Sequence, residues 1–300
     1  MALMTTLTLR WTFPRNWKRR NRIVDVRTAG IGADNQKSPQ RVAAIMPAYN
    51  VERDVASTVR ACRAIPGVDL LIVVDDGSED ETGRAARAAG AVVVRHSLHR
   101  GRASAIETGV KVAAMRDRVD APARHLLFIS PDLGESAVEA TALVEAVTTG
   151  LADCACSVPP LDPAEYRGHA QNVARAAIRR ITGWNPTYPL SSQRCITREA
   201  VTAAMPFLSG YGLEVAMTMD ILVAGLSMIE IPCNFVHSGA DQFIGRHNRS
   251  ARFTEASLAS ARMILHRKRM PFKDRLQGLK IQGIGEPYPR AAFERETSEN

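Results

Sequence analysis

The stretch from Arg41 to Ser78, RVAAIMPAYNVERDVASTVRACRAIPGVDLLIVVDDGS, constrains the fold more than any other. Two apolar runs, Val42–Met46 and Leu70–Val74, each stop abruptly at polar residues. Between them Val55, Val59 and Cys62 recur at helical spacing. Strand, helix, strand is the repeating unit of a parallel sheet. Polar clusters follow both strands: Pro47-Ala48-Tyr49-Asn50 after the first and Asp75-Asp76-Gly77-Ser78 after the second. In open α/β sheets, ligands bind outside the carboxyl ends of the strands. Both clusters are therefore expected to line one crevice.

The alternation continues along the chain. A helix is expected from Glu79-Asp80-Glu81-Thr82, with acids in its first turn and Gly90 ending it. Ala91–Val94 reads as a third strand, His96–Arg102 as a polar loop and Ala103–Met115 as a helix. His125–Ser130 reads as a fourth strand running into Pro131-Asp132. One helix is expected around Ala137–Thr148, closed by Gly150, and a fifth strand over Asp153–Val158. Next come a helix over Tyr166–Ile181 and a proline-punctuated loop over Asn185–Arg194. Gly210-Tyr211-Gly212 opens a helix over Leu213–Ala224, and Ser227–Pro232 reads as a strand. A basic loop, Ser238–Arg252, and a helix, Phe253–Arg267, follow. The fold class is thus α/β, a mainly parallel sheet flanked by helices over residues 41–267. A basic, unstructured tail (1–40) precedes it and a polar tail (268–300) follows.

Charge and cysteine usage narrow the partners. The net charge of +8 is concentrated at Arg10, Arg15, Lys18, Arg19, Arg20, Arg22 and Arg27. Such a tail is a solvated arm or makes weak contact with a membrane surface. It has no recognised reading motif, so no specific nucleic acid is expected. The cysteines number five, an odd count, and none has zinc spacing, which fits reduced thiols in a cytoplasmic protein. No run of about 18 apolar residues occurs, so at most peripheral membrane contact is expected. A homo-oligomer is compatible with the sequence.

At the strand ends, Asp75 and Asp76 are placed to accept hydrogen bonds from a base N–H or ribose hydroxyls. The competing reading is turn-making, since Asp-Gly is a common turn dipeptide. In His99-Arg100-Gly101-Arg102 the glycine lets the backbone approach a ligand, and two guanidinium groups suit phosphate oxygens. The competing reading there is an exposed basic loop.

In their order, PAYN…VVDDGS…LHRGRASAIETG…FISPDLGES resemble the nucleotide-binding half of a family 2 glycosyltransferase of the GT-A fold. PLSSQRCITREA and GYGLEVAMTMDILVAGLSMIEIP resemble the acceptor half of the dolichyl-phosphate sugar synthase-like branch. PLSSQ…TREA…GYGLEV…RHNR also resembles glucosyl-3-phosphoglycerate synthases. The likeness runs from Arg41 to Arg267. It implies metal-assisted transfer from a UDP- or GDP-linked sugar to an unknown acceptor, one carrying phosphate or carboxylate.

The resemblance also implies roles. Pro47, Ala48 and Tyr49 would pack beside the base, with Asn50 fixing their loop, and one Asp of the Asp75-Asp76 pair would contact the base. Gly101 and Arg102 stand where relatives carry Gly-Lys. Ser130-Pro131-Asp132 stands where relatives carry a DxD motif, so Asp132 would hold Mg²⁺ or Mn²⁺. His237 is favoured as a further metal ligand and His247 comes second. Glu214 is a candidate general base facing the acceptor, or else compensates charge at its helix N-terminus. Ser191, Ser192, Gln193 and Arg194 would form the acceptor loop, with Arg194 clamping an anion. Ser130 departs from the motif. It keeps open an alternative, a catalytically impaired nucleotide-binding or scaffold protein that retains the fold.

Overall fold

The computed structural model describes residues 41–160, 168–238 and Tyr288, with Tyr211 described by its backbone alone. The chain divides after Asp34, and all of these residues lie in the second unit, Asn35–Asn300. Both expected tails, residues 161–167, His247 and the helix expected over Phe253–Arg267 lie outside the described residues.

Among the described residues the strands are β1 (Val42–Ala48), β2 (Val68–Asp75), β3 (Val92–Arg95), β4 (His125–Phe128), β5 (Cys154–Val158), β6 (Arg194–Ile196) and β7 (Met228–Pro232). The helices are α1 (Val55–Arg63), α2 (Thr82–Ala88), α3 (Arg102–Met115), α4 (Thr141–Thr148), α5 (His169–Thr182), α6 (Arg198–Ala204) and α7 (Leu213–Val223). The strands form one sheet in the order β3-β2-β1-β4-β6-β5-β7, in which β6 alone runs antiparallel to its neighbours. The mainly parallel sheet read from the sequence is thus observed.

Register makes the crevice. Ala48 pairs with Asp75, and Asp75 with Arg95, so the ends of β1, β2 and β3 finish in one row. The Asp76 amide continues the row to the Ala48 carbonyl at 2.8 Å, and the Ile129 amide bonds the Ile45 carbonyl at 3.2 Å. The chain order reverses between β1 and β4, the place where open α/β sheets bind ligands.

Side chains alternate across the sheet, so each face builds its own core. Ile45, Ile72, Val74 and Phe128 pack with Ile106 of α3, Ile178 of α5 and Leu222 of α7. Ala44, Met46 and Leu127 pack on the other face with Val55, Val59 and Cys62 of α1 and Leu143 of α4. Gly109 lets α3 lie close on β1: a Cβ there would stand 2.3 Å from Ile45 Cγ2. That close seat fixes the N-terminus of α3 over the carboxyl edge of the sheet.

Three local expectations change. The helix after Ser78 starts at Thr82, so the acids precede it. Asp80 folds back to accept from the Thr82 amide at 3.0 Å and from the Glu52 amide at 3.1 Å. The helix expected around Ala137–Thr148 is a 3₁₀ segment, Gly134–Ala140, followed by α4. The loop expected through Arg194 ends one residue earlier, because Arg194 starts β6. Helix α6, capped by the Thr197 hydroxyl at the Ala200 amide, follows β6 and was not expected.

Away from the crevice, His125 starts β4 with both ring nitrogens buried and lacking hydrogen-bond partners. Burial, then the nearby Arg198 charge, push its pKa down from the ordinary 6.5 to about 4, with Asp153 opposing. The fold therefore holds this histidine neutral where an unfolded chain takes up a proton. Between pH 6.5 and 4 the unfolded state binds more protons, so stability falls with falling pH by about 3 kcal/mol from this residue. In urea titrations across that window, His125→Leu is expected to lose this acid sensitivity and to match the wild type near neutral pH. An unchanged acid slope would show that the ring is protonated in the fold.

Candidate active site

The loops after β1 and β2 are tied together by side chains. Asn50 adopts a left-handed conformation at φ 52°, which lets both its ends bond. Its amide donates to Ser78 Oγ at 3.1 Å, and its Oδ1 accepts from the Glu79 amide at 2.9 Å. Val51 donates to Thr82 Oγ1 at 2.8 Å, and Glu52 Oε2 accepts from the Glu81 amide at 3.1 Å. Asn50 thus ties the loop after β1 to the loop after β2. Pro47 lies within β1, and Ala48 ends it, buried.

The two aspartates after β2 point to different places. Asp75 is fully buried: Oδ1 accepts from the Ser78 amide at 2.9 Å, and Oδ2 lies 3.6 Å from Arg95 Nε. It makes the turn. Asp76 gathers the β3–α3 loop. Its carboxylate accepts from the Gly101 amide at 2.7 Å and the Arg100 amide at 3.0 Å. It also meets His96 Nδ1 at 2.6 Å and His99 Nδ1 at 3.0 Å. The other nitrogen of buried His96 reaches Thr108 Oγ1 of α3 at 2.9 Å. Sequence reading gave His96 and His99 no role; the available signal was a histidine directly after a strand. Through these bonds Asp76 sets Gly101, at φ 89°, and therefore Arg102. The Tyr49 and His99 rings lie 4.3 Å apart at 43°, and Tyr49 is 42% exposed. Together they form an open aromatic ledge at the crevice.

Asp132 and His237 come from residues 105 apart and meet at 2.9 Å, Asp132 Oδ2 to His237 Nδ1. Three backbone ties bring them there. The Cys233 amide bonds the Val158 carbonyl at 2.9 Å, the Val236 amide bonds Ser136 Oγ at 2.9 Å, and the Ser238 amide bonds the Asp132 carbonyl at 3.0 Å. Asp132 Oδ1 is buried without a hydrogen-bond partner. A buried carboxylate oxygen left open beside an imidazole suits a hard divalent cation completed by substrate phosphates and water. Among the described residues no cluster of three or more metal-ligating side chains occurs. His247, the second histidine considered, lies outside them.

The residues expected to form an acceptor loop are also brought together. Ser130 Oγ accepts from Gln193 Nε2 at 3.1 Å, and Gln193 Oε1 accepts from Ser192 Oγ at 3.0 Å. Ser191 Oγ lies 3.0 Å from Ser157 Oγ. Ser130 thus serves the loop 191–193. Arg194 is 2% exposed, and its guanidinium donates to the Ser191 carbonyl at 2.8 Å and Thr218 Oγ1 at 3.3 Å. It supports the loop from below, so the expectation that it clamps an anion is corrected. Glu230 of β7, unnoticed in the sequence, accepts from the Thr187 and Tyr188 amides at 2.8 Å each. Burial pushes its carboxyl up, and these amides counter that. Glu214, in the first turn of α7, is ion-paired with Arg102, whose second arm reaches the Ser192 carbonyl at 3.1 Å.

The five cysteines are buried free thiols, and burial pushes Cys62 and Cys195 up to about 12. Among the described residues no helix is long and apolar enough to cross a membrane.

Residues 43–162 match the glycosyl transferase family 2 model. Glycosyltransferase AglJ of Haloferax volcanii is 25% identical over 202 residues, 66% of this chain and 64% of the relative. Glucosyl-3-phosphoglycerate synthase of Mycolicibacterium smegmatis is 39% identical over 88 residues, 28% of this chain and 27% of the relative. The chain thus spans less than two thirds of the length of these curated relatives. Among solved structures, glucosyl-3-phosphoglycerate synthase from Mycobacterium tuberculosis in complex with Mn²⁺, uridine diphosphate and glucosyl-3-phosphoglycerate is similar in fold. Its TM-score is 0.57 at 23% identity, covering 73% of this chain and 79% of that one. The described residues thus share the GT-A fold of that synthase, and within it residues 43–162 are similar to glycosyl transferase family 2.

Proposed function

We propose that this chain transfers a sugar from a nucleotide donor, UDP-linked by preference over GDP-linked, to a hydroxyl of a phosphate- or carboxylate-bearing acceptor. The observation that carries the proposal is Asp132, with one oxygen on His237 and the other buried and open, at the carboxyl edge of the sheet. The Mn²⁺ and uridine diphosphate bound by the mycobacterial neighbour of the same fold support it.

In this reading the base rests on the Tyr49–His99 ledge, and Arg102 at the N-terminus of α3 faces the diphosphate. Asp132 and His237 would hold Mg²⁺ or Mn²⁺, which when bound would neutralise charge building on the departing nucleoside diphosphate. Glu214 faces the loop 191–193 and accepts the proton of the attacking hydroxyl. Ser130 accepts a hydrogen bond from Gln193 where its relatives supply charge, so one carboxylate of the motif would carry the ion.

Calorimetric titration with UDP- and GDP-sugars, with and without Mn²⁺, tests the reading. Metal-enhanced binding of one of them is expected, and absence of binding by all of them would overturn it. Ser130 also favours a second reading, a nucleotide-binding scaffold without turnover. Metal-dependent donor hydrolysis or transfer excludes the scaffold; binding with no turnover, even after Ser130→Asp, supports it.

A further inference from the structure

Arg102 belongs to the donor edge by position and to the acceptor side by its bonds. It is the first residue of α3, set by Gly101 on the Asp76 carboxylate. Yet its guanidinium pairs with Glu214 and donates to the Ser192 carbonyl at 3.1 Å. Its side chain is 36% exposed, whereas that of Glu214 is 10% exposed. An incoming diphosphate can therefore reach the arginine from solvent, while Glu214 stays covered.

We propose that the Arg102–Glu214 pair is an exchange lock, in which donor diphosphate takes Arg102 from Glu214 and so uncovers the acceptor-side carboxylate. The inference rests on the reading given above and deepens it. A guanidinium offers five N–H groups in a planar fork that suits phosphate oxygens two at a time, whereas only Nη1 meets Glu214. Two oxygens with more charge outcompete one carboxylate oxygen.

When Arg102 turns to the diphosphate, Glu214 loses its cation and Ser192 loses a donor. The Glu214 carboxylate and the Ser192 carbonyl of the acceptor loop then stand with acceptor atoms open. The loop itself stays in place, because Gln193 is held by Ser130 and Ser191 lies against Ser157. Glu214 in the donor-free protein is thus covered by a cation, and in the donor complex it can take a hydroxyl proton. The lock orders binding, donor first. By linkage an acceptor hydroxyl that occupies Glu214 also releases Arg102, so donor and acceptor raise each other's affinity by the same factor. The device further limits loss of donor to water, since the carboxylate that would activate a water is covered until the donor is seated.

The lock gives an effect of unusual sign. Removing the charge of Glu214 frees Arg102 in advance, so nucleotide binding tightens. A Glu214 that merely supports the fold would give weaker or unchanged binding. Calorimetry with UDP and Mn²⁺ on the full chain should show binding about fivefold tighter in Glu214→Gln, the size of a half-screened ion pair. Arg102→Met should bind more weakly than the wild type, and adding Glu214→Gln to it should change nothing further. Glu214→Asp, which shortens the arm and keeps the charge, provides a second variant and should also tighten binding. Unchanged or weaker UDP binding in the Glu214 variants, or a gain that persists without Arg102, overturns the lock while leaving donor binding established. A wild type that binds neither UDP nor GDP overturns the donor reading and the lock with it.

Discussion

Asp132→Ala is expected to abolish the metal's enhancement of nucleotide binding and leave metal-free binding nearly unchanged. Ser130 is uncharged and bonded to Gln193, so no second carboxylate of the motif remains to hold the ion. His237 alone offers one imidazole. Transfer should fall by about 10²–10³-fold, the range for losing a group that stabilises transition-state charge. Stability should move the other way or not at all. The native carboxylate is buried with Oδ1 lacking a partner, and alanine removes that buried charge. The measurement is affinity for the nucleoside diphosphate with Mn²⁺ and with chelator, beside a melting curve. A full metal response in Asp132→Ala would place the ion elsewhere.

Asp76→Ala should show the reverse pattern. From the sequence, one Asp of the Asp75-Asp76 pair was expected to contact the base; if that residue were Asp76, its loss would weaken binding and spare the fold. In the structure its carboxylate already serves the Gly101 and Arg100 amides, His96 and His99. Removal orphans Nδ1 of the buried His96 ring and the two amides just before α3. Each unmade bond of this kind costs about 1–3 kcal/mol, so a loss of about 3 kcal/mol or more in stability is expected. Nucleotide binding should weaken equally with metal and with chelator, because Arg102 and the Tyr49–His99 ledge lose their support. Asp76→Asn keeps one acceptor oxygen and should recover part of the stability. A variant that melts with the wild type yet binds nucleotide weakly would restore Asp76 as a direct reader of the base.

The two aspartates separate what a sequence reveals from what it conceals. Both end strands, and both were legible as site residues for that reason. Strand and helix periodicity is a local property: Val55, Val59 and Cys62 announced α1, and Gly90 and Gly150 announced helix ends that the structure realises at positive φ. Local order also placed the polar clusters at strand ends, and the parallel alternation placed those ends along one edge. The pairing of Asp132 with His237 was anticipated only through the resemblance, since nothing local connects residues 105 apart.

Tertiary structure decided the rest. Strand β6 is three residues long, too short for a period, and exists because it fits antiparallel between β4 and β5. Its first residue, Arg194, is thereby carried inside, which a polar loop sequence could not foretell. Whether Asp76 faces a ligand or its own protein depended on where His96 and the α3 N-terminus came to rest, and Gly109 on Ile45 set that position. The partner of Glu214 depended on the approach of α3 and α7, whose residues lie 112 apart in the chain. Apart from β6 and α6, the sequence alone determined the order of strands and helices and which chemical groups stand at the strand ends, because both follow from short-range pattern. Only packing decided which of those groups meet each other and which stay open to a ligand, because that choice is made by side chains distant in sequence competing for the same few hydrogen-bonding atoms.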